Sequence, residues 1–261
     1  VGFSGADIEN LVNEAALFAG RKNKTKIELE DFNEARDKIL LGAEREEAMD
    51  DEEKKLIAYH EAGHTLIAKL LPNTDPLQKV TIIPRGRALG ATEQVPEKDM
   101  KNMRKDYLLS RIAVTLGGRG AEQIIFNELS NGAANDLKQV TNIARKMVCQ
   151  WGMSEKLGPV TFSQGEDHLF LGKEMAQKKD FSEYTAKVIA EEIQRIIKES
   201  EEKVLKMLKE NRTKLKAIAE ALLDKETMEN DEIEWLLEKI DGKGNDAKEE
   251  SKEKKEQEEN V

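Results

Sequence analysis

Apolar residues recur at helical spacing along most of the chain. Ile8, Leu11, Val12, Ala15, Ala16 and Ala19 line one side of a first helix, which Ser4 and Asp7 cap at its start and Gly20 closes. A second helix is predicted over 30–41, with Phe32, Ala35, Ile39 and Leu40 inward and Gly42 as its stop. Two helices of this size bury too little surface to stand alone, so residues 1–44 are expected to dock on something else. Residues 43–53 are mostly charged. They read as a linker, or as the acidic first turn of the next helix, where negative charge suits the helix dipole.

The pattern continues as helix over 51–71, ending at Pro72. It then changes. Residues 79–84 and 89–95 have β-type composition and flank the turn Arg85-Gly86-Arg87-Ala88, so a hairpin is predicted. Helices are expected over 101–116, 119–127 and 134–150, with Gly117-Gly118 breaking the first from the second. Val160-Thr161-Phe162 reads as a short strand. A long amphipathic stretch follows over 181–224. Its stripe of Ile189, Ile193, Ile196, Ile197, Val204, Leu205, Leu208 and Leu215 reads as helix–helix core. A last helix over 230–240 completes a domain spanning 45–240. The fold class is therefore mainly α with a small β-sheet or hairpin (α+β). Residues 241–261 lack large apolar side chains apart from the final Val261 and read as a disordered charged tail.

Composition narrows the function classes. The 261 residues carry 42 Lys+Arg against 52 Asp+Glu, a net charge of −10 that gives no support for a nucleic-acid partner. Charged residues make 36% and aromatics 5%, which suits helices with solvated outer faces and argues against an all-β sandwich. No apolar run approaches the ~18 residues of a membrane span, and no signal peptide is present. The single cysteine, Cys149, forbids an internal disulfide and fits a reducing compartment. The chain begins with Val1, not Met, and so reads as part of something longer.

The chemistry lies in Tyr59-His60-Glu61-Ala62-Gly63-His64-Thr65, an HExxH motif inside a predicted helix. At 3.6 residues per turn His60 and His64 stack on one face, one turn apart, where both rings can reach one Zn²⁺. Glu61 points about 100° away, beside the metal rather than on it, and is placed to act as general base. Two packed histidines on an apolar helix face are the bland alternative, which leaves Glu61 unexplained.

Catalytic zinc normally takes three protein ligands. His168 lies in a polar loop and reads as solvent-exposed. Asp136 is the better candidate: it shares a helix face with Val140, Ile143 and Met147, where a carboxylate is costly unless paired or metal-bound. Helix capping is its alternative role. Glu122 is the rival, as a ligand, as a partner that orients a ligand histidine, or as a surface glutamate.

Several motifs in order resemble the C-terminal part of the FtsH family, the membrane-anchored ATP-dependent AAA+ zinc metalloproteases. Gly2-Phe3-Ser4-Gly5-Ala6-Asp7 and Asn10-Leu11-Val12-Asn13-Glu14-Ala15-Ala16 resemble the start of the helical lid of that family's ATPase module. The HExxH segment resembles its zinc helix. Pro84-Arg85-Gly86 with Leu89-Gly90 resembles its substrate-side hairpin. Asn131-Gly132-Ala133-Ala134-Asn135-Asp136-Leu137 resembles the segment that supplies its third zinc ligand, which raises Asp136 above Glu122 and His168. Asn131 and Ala91 depart from the family's more usual threonine and aromatic, without removing a catalytic group. No GxxxxGK[ST] phosphate loop occurs, so ATP and Mg²⁺ would belong only to an intact protein.

The resemblance implies 1–44 as a lid remnant, 45–240 as a zincin-like peptidase domain, zinc on His60, His64 and Asp136, and Glu61 as the catalytic residue. Glu122 is expected to orient a ligand, and Arg85, Gly86, Leu89 and Gly90 to face substrate. It further implies polypeptide substrates, a homo-hexamer, and ATP-driven unfolding in membrane protein quality control. The intact protein would work at the cytoplasmic side of the cell membrane, anchored through segments missing from this chain. Two rival readings are a non-catalytic helical assembly module and an ATP-independent HExxH metallopeptidase of another family.

Overall fold

The structure is a computed structural model that describes residues 3–45, 49–86, 88–96, 102–162 and 181–242. The elements run α1 (Gly5–Arg21), α2 (Leu29–Leu41), α3 (Asp51–Leu70), β1 (Leu77–Thr81), β2 (Ala91–Gln94), α4 (Lys105–Phe126), α5 (Ala134–Cys149), α6 (Glu183–Glu210), α7 (Arg212–Lys225) and β3 (Thr227–Glu229). Residues 230–242 are again helical. The mainly helical fold with a small sheet is as expected. His168 and residues 243–261, expected as an exposed loop histidine and a disordered tail, lie outside the described residues.

Helix α1 opens on a capping box: Ser4 N–H donates to Asp7 Oδ2 at 2.8 Å, and Asp7 N–H donates back to Ser4 Oγ at 3.3 Å. It packs on α2 through Ala15, Ala19 and Ala35. Two helices share only one narrow seam, so the wider apolar stripe expected to point inward stays outside: Ile8, Val12 and Leu40 are exposed.

Helix α3 is the centre of the rest. It packs along α4 and α7, and α4 in turn packs on α5 and α6. Leu66, Ile67, Leu108, Ile112, Leu116, Val140, Met147, Leu208, Leu215 and Leu222 form one continuous core between these helices. The expected break at Gly117-Gly118 does not occur, and α4 runs unbroken from Lys105 to Phe126. Those glycines serve contact instead. A Cβ on Gly117 would stand 2.6 Å from the Gly63 carbonyl oxygen, and one on Gly63 would overlap the Gly117 carbonyl. Bare backbone at both positions lets α3 and α4 touch, which outweighs the modest helix penalty of glycine.

The long amphipathic stretch expected over 181–224 is made of two helices, α6 and α7. Asn211 ends α6 and begins α7, with its side-chain amide donating to Met207 O at 2.9 Å.

The sheet has the order β2-β1-β3 and is antiparallel throughout. The expected strand at 160–162 is not one; Phe162 only donates its N–H to Cys149 O at 2.8 Å. The third strand comes instead from Thr227–Glu229, a run too short for periodicity to announce. Strand register separates the two faces of the sheet. Thr92, Val80 and Met228 form one cross-strand row, with Val80 and Met228 fully buried against the helices. Glu93, Lys79 and Glu229 form the adjacent row on the opposite face. There α2 docks: Asp37 accepts from Lys79, and Arg36 pairs with Glu93 at 3.0 Å.

Candidate metal centre

Helix α3 delivers His60 and His64 one turn apart, with ring centroids 4.7 Å from each other. Their approach to α4 is possible because Gly118 stands beneath them: a Cβ there would lie 2.5 Å from His60 Nε2 and 2.6 Å from His64 Nε2. Asp136 arrives from the first turn of α5. Ala133, not Asp136, is the N-cap of that helix. Its Oδ2 lies 3.2 Å from His60 Nε2 and 3.3 Å from His64 Nε2, while the two Nε2 atoms are 3.1 Å apart.

These three atoms could hold one metal ion. Ligands ~2.0–2.1 Å from a tetrahedral zinc stand roughly 3.3 Å from one another, which matches the observed triangle. The opposite ring nitrogens are already committed. His60 Nδ1 donates to Glu122 Oε1 at 2.6 Å, and His64 Nδ1 donates to the Val114 carbonyl at 2.8 Å. Each bond fixes the tautomer that leaves a lone pair on Nε2. Glu122 is buried and is itself held by the Ser130 N–H, which donates to Oε2 at 3.0 Å. The donor set and its supports therefore fit zinc.

Electrostatics favour a cation at this point. Burial opposes charge on His60, but the carboxylates of Asp136 and Glu122 outweigh it and push its pKa up to about 10. Burial also works against ionised Asp136, and the two imidazoles overcome it, holding the carboxyl well below its usual range. Glu122 is lowered in the same way: burial raises it, and the His60 ring and Ser130 amide win.

Glu61 leaves the metal-facing side of α3, as its position in the motif requires, and is buried beneath the sheet. The Thr92 hydroxyl of β2 donates to its Oε2 at 2.7 Å. Gly90 lies against it, with space for no side chain: a Cβ would stand 2.8 Å from Oε1. Of the other residues expected on the substrate side, Leu89 packs on the core. Arg85 and Gly86 lie apart from the histidines. Arg85 pairs with Glu44 at 3.1 Å, and the Gly86 N–H donates to Ala43 O at 3.0 Å, in the joint after α2. Thr92, Val114 and Gly118 are contacts that the linear sequence does not advertise, since each depends on which elements meet.

A mainly helical domain that gathers such a trio falls in the class of metallopeptidases built on an HExxH helix. Sequence comparison is more specific. Residues 47–236 match the model of Peptidase family M41, and residues 1–34 match the AAA+ lid domain. The chain belongs to peptidase family M41. It is 55% identical, over 92% of its length, to the ATP-dependent zinc metalloprotease FtsH of Nitrosococcus oceani. It is 51% identical over 90% of its length to the protein of that name from Pelobacter propionicus. It spans only 38% of the length of either relative.

Proposed function

We propose that this chain carries the peptidase centre of a zinc-dependent endopeptidase that cuts unfolded polypeptides. In this reading residues 1–44 are a lid remnant and 45–240 the peptidase domain. The observation that carries the proposal is the triangle of His60 Nε2, His64 Nε2 and Asp136 Oδ2, with edges of 3.1, 3.2 and 3.3 Å.

His60, His64 and Asp136 would hold zinc, and Glu122 would orient His60. Zinc bound there supplies a Lewis acid that polarises the scissile carbonyl and makes a water acidic near neutral pH. Glu61 takes the proton from the attacking water and hands it to the leaving amine nitrogen. Substrate lies as an added strand beside β2, the edge of the sheet, and pairs through main-chain groups with little sequence preference. Gly90 and Leu89 border that strand, whereas Arg85 and Gly86 act further out, at the joint. By likeness to relatives named as ATP-dependent, the longer protein would couple this centre to ATP use; unfolding in a homo-hexamer at a membrane is what the family resemblance adds to the proposal. No described helix is long and apolar enough to cross one.

The test is a pair of variants. Glu61→Gln should keep about one zinc per chain and abolish hydrolysis of unfolded casein. Asp136→Ala should lose bound zinc. Hydrolysis surviving in Glu61→Gln removes Glu61 as the base, and full zinc in Asp136→Ala removes Asp136 as a ligand.

A further inference from the structure

Glu61 presents two unequal oxygens, and the sheet makes them so. Thr92 stands in the cross-strand row of Val80 and Met228, the row that faces the helices, so its side chain is aimed at α3 by register. Its Oγ1 donates to Glu61 Oε2 at 2.7 Å; the Glu61 carbonyl is a more distant 3.3 Å, and one hydroxyl proton serves the shorter contact. Among the described residues Oε1 shows no hydrogen-bond partner. Gly90 leaves the space beside it empty of side chain.

We propose that Thr92 is a positioning residue for the base. Its hydroxyl holds Oε2, so that Oε1 is the oxygen left to the reacting water, and the absence of a side chain at Gly90 spares that oxygen a collision. The inference rests on the assignment of Glu61 as general base. It adds a link that assignment lacks: Thr92 belongs to Ala91–Gln94, the strand at the sheet edge. The same four residues that would align a peptide by main-chain pairing also align the carboxylate that works on it. A peptide seated out of register would disturb the base as well as the bond.

Thr92→Val keeps the β-branched shape and removes only the hydroxyl, while Thr92→Ser keeps the hydroxyl. Both are made in the zinc-loaded chain, beside Glu61→Gln, and assayed with an internally quenched fluorescent peptide. Removing one hydrogen bond to a charged group should lower kcat roughly ten- to a hundredfold in Thr92→Val. KM should stay within about twofold, because the substitution leaves the main-chain groups of the strand, which would pair with the peptide, in place. Zinc content should not change, and Thr92→Ser should restore kcat. Crystal structures supply a readout independent of turnover: the Glu61 carboxylate should shift by about 1 Å or split into two conformers in Thr92→Val, but not in Thr92→Ser.

Unchanged kcat with an unmoved carboxylate in Thr92→Val overturns the proposal. So does a Thr92→Ser variant as slow as Thr92→Val, which would mean that packing rather than the hydroxyl matters. If Glu61→Gln is inactive while Thr92→Val is normal, only the positioning role fails. If Glu61→Gln stays active, the assignment beneath it fails first.

Discussion

Gly63 of α3 and Gly117 of α4 meet backbone to backbone, each occupying the volume that the other's Cβ would need. The contact sets the distance between the helix that carries the two histidines and the helix that backs them. Gly63→Ala forces the helices apart at the middle of the core. An overpacking cost of about 3 kcal/mol is expected, read as a lowered urea midpoint with unchanged slope. A variant as stable as the parent would show that α3 and α4 can separate without loss.

Gly118→Ala makes a different prediction. Its Cβ would strike the two Nε2 atoms rather than backbone. Side chains can swing aside, so the fold should survive and the metal site should not. Zinc titration of a soluble, cooperatively unfolding variant should show binding weakened by roughly a hundredfold or more. Wild-type affinity would mean that the rings are not held against α4 in solution.

Glu122 meets the proposed centre through one bond to His60 Nδ1, at 2.6 Å. Glu122→Gln keeps the shape and removes the charge. Zinc dissociation constants, measured by competition with a fluorescent chelator, should rise roughly tenfold. The effect should be smaller than that of Asp136→Ala, which removes a donor atom.

In the proposed centre zinc and protons would compete for the same point. The folded pKa of His60 is raised to about 10, above its unfolded value. In the metal-free chain this charged ring stabilises the fold fully below pH ~6.5, and the contribution is lost as pH rises towards 10. Asp136 is depressed, so its contribution is present above its unfolded pKa and is lost as the solution becomes strongly acid. Zinc held by His60 would displace a proton from that ring. Affinity should therefore rise about tenfold per pH unit between pH 6.5 and 8, with about one proton released per metal bound. Calorimetry in buffers of different ionisation enthalpy counts that proton; a pH-independent affinity would contradict the coupling.

On the outer face of the sheet, Asp37 of α2 and Lys79 of β1 form an ion pair with both side chains about nine-tenths buried. Asp37→Ala leaves a buried ammonium without its partner and should cost about 3 kcal/mol in thermal or urea unfolding. The double variant Asp37→Leu with Lys79→Met should recover most of that loss. A double variant no better than the single one would show that the pair itself, rather than the orphaned charge, sets the cost.

Sequence pattern reached far into this molecule where the signal was local. The capping box of Ser4 and Asp7, the extent of α3 and the HExxH stack all depend on neighbours within one or two turns. Asp136 stands out in the sequence because an acid on an apolar stripe is anomalous, and the family resemblance raises it further above Glu122. What pattern alone misreads depends on partners far along the chain. Gly117-Gly118 looks like a helix end until Gly63 is placed opposite. The outward-facing Ile8, Val12 and Leu40 look like core because periodicity says which residues share a side, not whether anything covers it. Thr92 is an ordinary strand threonine until register turns it towards Glu61.

Strand β1 is completed on its second side by Thr227–Glu229, about a hundred and fifty positions later, and the same late segment follows α7, which braces the histidine helix. At ~5–20 residues per second a ribosome needs roughly ten seconds or more to supply that stretch after the histidines have emerged. The sheet that carries Thr92 therefore gains its third strand only after residue 229 has been made. Until then β1 has only β2 beside it, and the histidine helix is without the brace of α7.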